Sequence, residues 1–489
     1  MFPRRSRQTM LRVAIAGAIV VVIAPGQPAE AGGAVVRTYP SAACAGTLQA
    51  CIDGAPAGAR IEIRRTTRID ESLAIGRSIT ITGAPGVTPR IGSADPTDPQ
   101  TVTIADDAGG PVRVTLAGLQ LSSARVRVQL MTHAGSEVTL RDLVVRSAPD
   151  SNNTAGVGID VRRGDSLVVL TRSDIRSTGQ PVATTMILPD AESARVSIVG
   201  NRLAADDVPN GSHGIDIDLR GAGSPVVTVY GNTVRGAMGC DCGGTGAIAV
   251  STSAAPFGKV QIVGNTIDRA VAPAGTGITV RTTATGGQTR IGIANNAITA
   301  NGGPALELPG LTDRLAIAIG VNNDHGNAEA TDFGGYPPSV PQLSVPPSYA
   351  RGPGGDYRLR VVSQLIDAGE TCVVGGFGRT DGAGRFRVAG LAVDIGAFEL
   401  GATAAGAGVV RLGSDGPDRV VGTRGRDILC GFGGADALNP GAGADVVDGG
   451  PADDTLTTRD GTIDLVRGGT GRDTCIVDGG GFDTRVSCP

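Results

Sequence analysis

A short phrase recurs through the middle of this chain and limits what the chain can fold into. It reads Val199-Gly200-Asn201-Arg202-Leu203, Tyr230-Gly231-Asn232-Thr233-Val234, Val263-Gly264-Asn265-Thr266-Ile267 and Ala294-Asn295-Asn296-Ala297-Ile298. Asn201, Asn232, Asn265 and Asn296 are separated by 31, 33 and 31 residues. A second phrase interleaves with it: Gly158-Ile159-Asp160-Val161, Gly214-Ile215-Asp216-Ile217, Ala247-Ile248-Ala249-Val250, Gly277-Ile278-Thr279-Val280 and Ala305-Leu306-Glu307-Leu308. Thr185-Met186-Ile187-Leu188 falls between the first two of these. Two markers advancing together define a structural repeat.

Each repeat holds short β-branched runs with period-two alternation, such as Val196-Ser197-Ile198 and Val227-Thr228-Val229, punctuated by Gly, Asn and Asp. No segment sustains a 3.6-residue apolar period. Strands this short bury their inward side chains only by stacking on equivalent strands of neighbouring coils, which makes a parallel β-solenoid. Composition agrees: the chain has 76 glycines, no tryptophan and only 3% aromatics. Large globular cores usually lean on aromatic side chains. The repeating asparagine has a structural task, because its short amide tolerates a left-handed turn and bonds the asparagine of the next coil. A net charge of −4 argues against a nucleic-acid partner, which needs a dense basic surface.

These phrases resemble the right-handed parallel β-helix family, the fold of pectate lyases, rhamnogalacturonases, tailspikes and many adhesins. The entry segment Thr47-Leu48-Gln49-Ala50-Cys51-Ile52-Asp53, continuing to Arg60-Ile61-Glu62-Ile63, looks like the capping helix and first strand of such proteins, and Ile79-Thr80-Ile81-Thr82-Gly83 like an early coil. The resemblance covers roughly residues 42–325 and assigns residues 32–325 to the β-helix. Residues 326–400 form a proline-rich segment and a closing segment. In the latter, Ser363-Gln364-Leu365-Ile366-Asp367-Ala368-Gly369 and Asp394-Ile395-Gly396-Ala397-Phe398-Glu399 look like the phrases that seal the last coil in bacterial surface β-helix proteins. Asp367, Asp394 and Glu399 are read as structural.

Residues 1–31 read as a secretory signal peptide: Arg4, Arg5 and Arg7 precede an apolar run from Val13 to Ala24, followed by the small-x-small site Ala29-Glu30-Ala31. That run is shorter than the ~20 residues a membrane-spanning helix needs, so no transmembrane segment is expected and the mature chain works outside the cell or on its surface. All eight cysteines lie beyond Ala31, and an even count in an exported chain favours disulfides. Cys44–Cys51 and Cys475–Cys488 are the local pairs. Cys240, Cys242, Cys372 and Cys430 allow three pairings. Cys240-Asp241-Cys242 lacks a nearby Cys or His pair that would complete a metal site.

After a linker over 401–412, residues 413–489 follow a nine-residue frame: GSDGPDRVV, GTRGRDILC, GFGGADALN, PGAGADVVD and GGPADDTLT. Position six is Asp418, Asp427, Asp436, Asp445 and Asp454, and position eight is Val420, Leu429, Leu438, Val447 and Leu456. One extra residue shifts the frame to Asp464, and Asp473 follows. The pattern matches the RTX-type nonapeptide G-G-x-G-x-D-x-U-x. Two nonapeptides make a coil of 18 residues, so Asp418, Asp436 and Asp454 line one edge and Asp427 and Asp445 the other. Asp418, Asp427, Asp436, Asp445, Asp454 and Asp473 are the candidate ligands of Ca²⁺, which prefers six to eight hard oxygens. This segment holds 13 Asp, no Glu and 7 Arg, so the chain's excess negative charge is concentrated here. Pro440 and Ala452 stand where the pattern has glycine.

The expected fold is therefore all-β, a right-handed parallel β-helix followed by a small RTX-type parallel β-roll. Alternation along Ile215, Ile217 and Leu219 turns Asp216, Asp218 and Arg220 outward, with Asp160 and Arg162 two coils earlier and Thr279 and Arg281 two coils later. In pectate lyases, carboxylates on such a face hold Ca²⁺ and an arginine takes a proton. The resemblance thus makes Asp216, Asp218, Arg220 and Arg281 the catalytic candidates. Against chemistry stand Ile187 in the intervening coil, the absence of polygalacturonase-like spacing and of the Asp-Pro-His-Glu phrase of alginate epimerases, and the scarcity of sugar-stacking aromatics. The favoured expectation is a calcium-dependent protein that binds an extracellular polysaccharide or cell-surface glycan without catalysis. The alternative is a calcium-dependent polysaccharide lyase, epimerase or hydrolase.

Overall fold

The asparagine phrases lie at one corner of a three-sided coil. The computed structural model describes residues 35–488, except residues 45, 96–97, 108, 148–154, 178–181, 189–191, 206–212, 237–245, 255, 269–274, 352–355, 374–377, 391, 404–407 and 480–482. The leader segment, Cys240 and Cys242 therefore lie outside the described residues. The chain divides into two units, one ending at Gly406 and the other running from Ala407 to Pro489.

In the first unit the coils build three parallel sheets, and from the third strand of sheet I onward most coils give one strand to each. One coil is Ser193–Val199, Arg202–Ala205 and Ile215–Gly221, and the next begins at Ser224–Tyr230. Sheet I has 11 strands, from Val36–Tyr39 to Leu315–Ile319; sheet II has 8, from Arg90–Ile91 to Ala297–Thr299; sheet III has 9, from Leu73–Ile75 to Leu306–Glu307. This is a parallel β-helix, and the crossover rule gives it a right-handed wind. Like stacks on like: Val196, Val227, Val260 and Ile291 form one inward row, and Ile198, Val229, Ile262 and Ile293 another. All eight are at most 1% exposed. A fully buried aliphatic side chain contributes about 1.5–3 kcal/mol, so rows of Val and Ile build a core without aromatics.

The corner between sheets I and II is held by a ladder. Asn201, Asn232, Asn265 and Asn296 each donate a backbone N–H and an Nδ2–H to the Oδ1 of the next ladder residue, all at 2.9–3.0 Å, and Asn322, which receives the fourth pair, passes its own on to Gln342 Oε1. Each Nδ2 also donates to a carbonyl one coil back, Leu170, Ile198, Val229 and Ile262 in turn. The expected left-handed turn falls one residue earlier than the ladder asparagine. Gly200, Gly231, Gly264 and Asn295 carry φ of +65°, +63°, +61° and +57°. The ladder residue must keep its backbone N–H and its amide aimed along the stack, so the residue before it takes the turn.

At the amino-terminal end the expected cap forms. Helix Leu48–Asp53 is N-capped by Thr47, and Glu71 accepts its first backbone N–H groups from Leu48 and Gln49. Cys51 of the helix is disulfide-bonded to Cys44. At the other end, Tyr336 of the proline-rich segment joins the buried core, with Phe333 packed against it. The closing segment does something else: it runs along the corner ridge beside the last coils. Asn295 exchanges two 2.8 Å hydrogen bonds with the Glu370 backbone, and Ala397 N–H donates to Thr266 Oγ1. Arg387, 1% exposed, lies over the Tyr230 ring and donates to the carbonyls of Asp394 and Gly396. A β-carbon at Gly264 would meet Arg387 Nη2 at 2.7 Å, so glycine there serves both the turn and this close approach. Asp367, Asp394 and Glu399 accept backbone N–H groups within the segment, in keeping with a structural role. Burial pushes the Glu399 carboxyl up to about 8.

The second unit is a two-sheet roll. One sheet orders Val410–Leu412, Ile428–Cys430, Val446–Pro451, Leu465–Thr470 and Thr484–Val486, and the other Arg419–Thr423, Ala437–Gly441, Thr455–Thr457 and Thr474–Ile476, all parallel. Its first strand, Val410–Leu412, lies inside the stretch 401–412 expected to be a linker. Position eight of each nonapeptide points inward: Val420, Leu429, Leu438, Val447, Leu456 and Val466 form the core. Cys475–Cys488 closes the last coil, and Cys372 and Cys430 are each disulfide-bonded.

Candidate metal centre

Because one coil of the roll takes two nonapeptides, position-six aspartates stack at the turns in two files. On one edge, the backbone N–H groups of Asp418, Asp436 and Asp454 donate to Oδ1 of Asp436, Asp454 and Asp473 at 2.8, 2.8 and 3.0 Å. On the other, Asp427, Asp445 and Asp464 donate to Oδ1 of Asp445, Asp464 and Asp483 at 2.7, 2.8 and 3.0 Å. Asp473 thus joins the first file. Asp464 joins the second, and Asp483 continues it. The frame is kept in register across single extra residues at Thr458 and Val477.

The second carboxylate oxygens separate the aspartates of the two files, Asp464 joining the expected ligands. Asp418 Oδ2 accepts from Ser414 N–H and Oγ–H, and Asp427 Oδ2 from Thr423 N–H and Oγ1–H, so hydroxyls of their own turns satisfy them. Oδ2 of Asp436, Asp445, Asp454 and Asp464 has no hydrogen-bond partner, and these residues are at most 2% exposed. A buried carboxylate oxygen without a donor is costly, by several kcal/mol for an unpaired charge. Desolvation accordingly raises all four: Asp436 upward, Asp454 to about 6, Asp445 to about 7 and Asp464 to about 8, with the neighbouring carboxylates adding to the shift. A hard divalent cation satisfies such oxygens directly. The turn is shaped around them, since a β-carbon at Gly431 or Gly449 would stand 2.3 or 2.4 Å from Oδ2 of Asp436 or Asp454. The residues present therefore fit Ca²⁺.

The departures from the pattern are absorbed. Ala452 takes φ +91° at position four and Phe432 φ +68° at position two, left-handed conformations that cost an L-residue roughly 1–2 kcal/mol. Gly450, at φ +99°, has no such freedom to vary, because a β-carbon would meet the Phe432 carbonyl at 1.9 Å. At Pro440, Asp445 keeps its place in the file. Position two of the repeat that follows Thr458 then adds to that edge: Asp445, Asp460 and Asp464 each bring a carboxylate oxygen within 4.8 Å of the others. Asp460 was invisible to the period because it stands at position two, which holds Ser414, Thr423, Phe432, Gly441 and Gly450 in the earlier repeats and so has no constant residue type.

A family model described as "RTX calcium-binding nonapeptide repeat (4 copies)" matches residues 412–447 and 431–462. This segment is an array of RTX calcium-binding repeats. No curated protein sequence matches the chain. Among solved structures, the crystal structure of pectate lyase Pel9A is similar at 13% identity and a TM-score of 0.31, over 72% of this chain and 90% of that one.

Away from the RTX array, the sheet III candidates sit largely as alternation dictates. Ile215, Ile217 and Leu219 are fully buried, Asp216 and Asp218 half-buried and Arg220 exposed. Asp218 accepts from Arg220 Nε at 2.7 Å, and Asp160 pairs with Arg162 in the same manner. The hydrogen bond to Asp218, with Asp160 and Asp216 nearby, raises the Arg220 pKa. Ile187 is level with Arg220 one coil back, and Arg281 is two strands beyond Asp218 with Ser251 between. Thr279 departs from expectation: it is 2% exposed, and Gly246 of the neighbouring strand lies against it, a β-carbon there standing 2.8 Å from Thr279 Cγ2.

Proposed function

We propose that this chain is an extracellular, calcium-stabilised β-helix protein that binds glycans on its surface without chemical turnover. The observation that carries the calcium part is the set of four buried aspartate oxygens left without a donor in the RTX array. Calcium binding then completes the roll, and folding of the array is coupled to the ion. The array and the leader-like first 31 residues support a place outside the cell, and among the described residues no helix is long and apolar enough to cross a membrane. Support for binding over catalysis comes from sheet III. An arginine acting as a base must lose its proton, and the ion pair with Asp218 drives Arg220 the opposite way.

Calorimetric titration of the full chain with Ca²⁺, paired with thermal melts, tests the calcium part. Calcium at a hundred times its Kd stabilises by about 2.7 kcal/mol per site; no heat and no rise in melting temperature at millimolar Ca²⁺ overturns it. The lyase alternative draws on Asp216 and Asp218 sharing one strand beside Arg220. Release of unsaturated uronate from polygalacturonate or alginate, read by near-ultraviolet absorbance and lost in Asp216→Asn, establishes that alternative.

A further inference from the structure

The two aspartate files of the roll are unequal, and the inequality lies at position two of the nonapeptide. On the first file, the turns of Asp436, Asp454 and Asp473 carry Phe432, Gly450 and Gly469 there, none of which brings a carboxylate. On the second, the turn of Asp464 carries Asp460. Asp445, Asp460 and Asp464 converge, one carboxylate oxygen of each lying within 4.8 Å of the others, and no other three acidic, histidine or cysteine side chains do so among the described residues. Asp445 and Asp464 are 2% and 1% exposed, and Oδ2 of each has no hydrogen-bond partner. Exposed acidic side chains can turn apart into water; these two cannot.

Asp460 is oriented by its own surroundings. Its Oδ1 accepts from Thr462 N–H at 2.8 Å and Thr462 Oγ1–H at 2.7 Å, and its Oδ2 from Gly443 N–H at 2.9 Å. Gly443 stands in the turn of Asp445, so Asp460 straps one turn of the file to the next. Its backbone N–H and that of Gly461 donate to Asp478 Oδ2 at 3.2 and 2.6 Å, and Asp478 N–H donates to Asp483 Oδ2 at 2.9 Å. These donors to Asp460 are neutral, so its charge is positioned without being cancelled; Arg426, near Asp445, offsets part of the total. Calcium affinity rises with the number of charged ligands, the attraction scales with the product of the charges, and ligands already in place cost less to order. The third carboxylate also stands beside the turn whose first position, Pro440, departs from the repeat.

We infer that Asp445, Asp460 and Asp464 form a three-carboxylate site that takes the first ion of the array and favours a hard trivalent cation more strongly than the turns of Asp436 and Asp454 do. The inference rests on the calcium reading above and adds to it a ligand, Asp460, from outside position six.

The test titrates the full chain with Ca²⁺ by calorimetry and with Tb³⁺ by luminescence, beside Asp460→Asn and the charge control Asp415→Asn, an exposed aspartate of the first turn. In wild type one ion is expected to bind at least about tenfold tighter than the rest. Asp460→Asn is expected to weaken that first step at least about tenfold for Ca²⁺ and further for Tb³⁺, and Asp415→Asn to shift it less than about twofold. Thermal melts in chelator report whether the fold is kept. Should Asp460→Asn melt early there, Asp436→Asn with Asp454→Asn locates the step from the other file: a first step that persists supports the site, and one that vanishes overturns it. Equal steps in wild type, or a first step in Asp460→Asn as tight as in wild type, overturn the site while the calcium reading stands. A first step weakened no further for Tb³⁺ than for Ca²⁺ overturns the charge preference. If wild type takes up neither ion, the calcium reading and the site fall together.

Discussion

The β-helix and the RTX array solve one problem with two side chains that differ by a single group. Both stack parallel coils, and in both a turn residue passes its backbone N–H to the side-chain oxygen of the next coil: Asn232 to Asn265 at 3.0 Å, Asp427 to Asp445 at 2.7 Å. An amide is donor and acceptor at once, so Asn265 Oδ1 takes two hydrogen bonds while its Nδ2 reaches Val229 O and Asn296 Oδ1. A carboxylate only accepts. Once Oδ1 is used, the other oxygen of Asp436, Asp445, Asp454 and Asp464 is left with nothing to bond. The neutral ladder is complete in itself, and the charged ladder is completed by a cation.

Exchanging the two chemistries gives the largest expected effect. Asn265→Asp removes the Nδ2 donor and buries a charge beside Asn296 Oδ1. At neutral pH it is expected to destabilise the β-helix by about 3–5 kcal/mol, read by denaturant unfolding, and added calcium should not restore it. The reverse exchange, Asp445→Asn with Asp464→Asn, relieves repulsion in the metal-free array. Its transition should rise by about 1 kcal/mol, while its response to calcium disappears in calorimetry.

Acid sharpens the contrast. Asp454, Asp445 and Asp464 are raised in the folded array to about 6, 7 and 8, against about 3.9 when unfolded. The folded state therefore holds more protons across that window, and its stability falls as pH climbs through these values. With chelator present, the array should melt higher at pH 5 than at pH 8. Calcium, which needs the deprotonated oxygens, should reverse that order. The smallest effect belongs to Asp427→Asn: its Oδ2 is already held by Thr423, so calcium affinity should change by less than about threefold, against at least about tenfold for Asp445→Asn.

The stacking itself was readable from the chain, because Asn201 to Asn296 and Asp418 to Asp454 recur at fixed intervals and a coil must close at a fixed length. What the period does not encode is which oxygens are free. That depends on position two: Ser414 and Thr423 spend hydroxyls on their own turns, whereas Phe432, Gly441 and Gly450 have none to offer. Asp483 escaped because an extra residue breaks the count that the register then restores, and Asp460 because position two has no constant residue type. The closing phrases revealed a segment but not its place, since Arg387 over Tyr230 is a contact between distant parts of the chain.

Every rung of the carboxylate files points one way, from the amide of an earlier turn to the oxygen of a later one. The array therefore has polarity: Asp473 and Asp483 receive but do not hand on along the files, and they lie beside the Cys475–Cys488 staple. Order is inherited backwards along the sequence, each turn being pinned by its successor. The stapled terminus acts as the seed crystal of the array, and clipping it off should unravel more of the roll than clipping the opposite end.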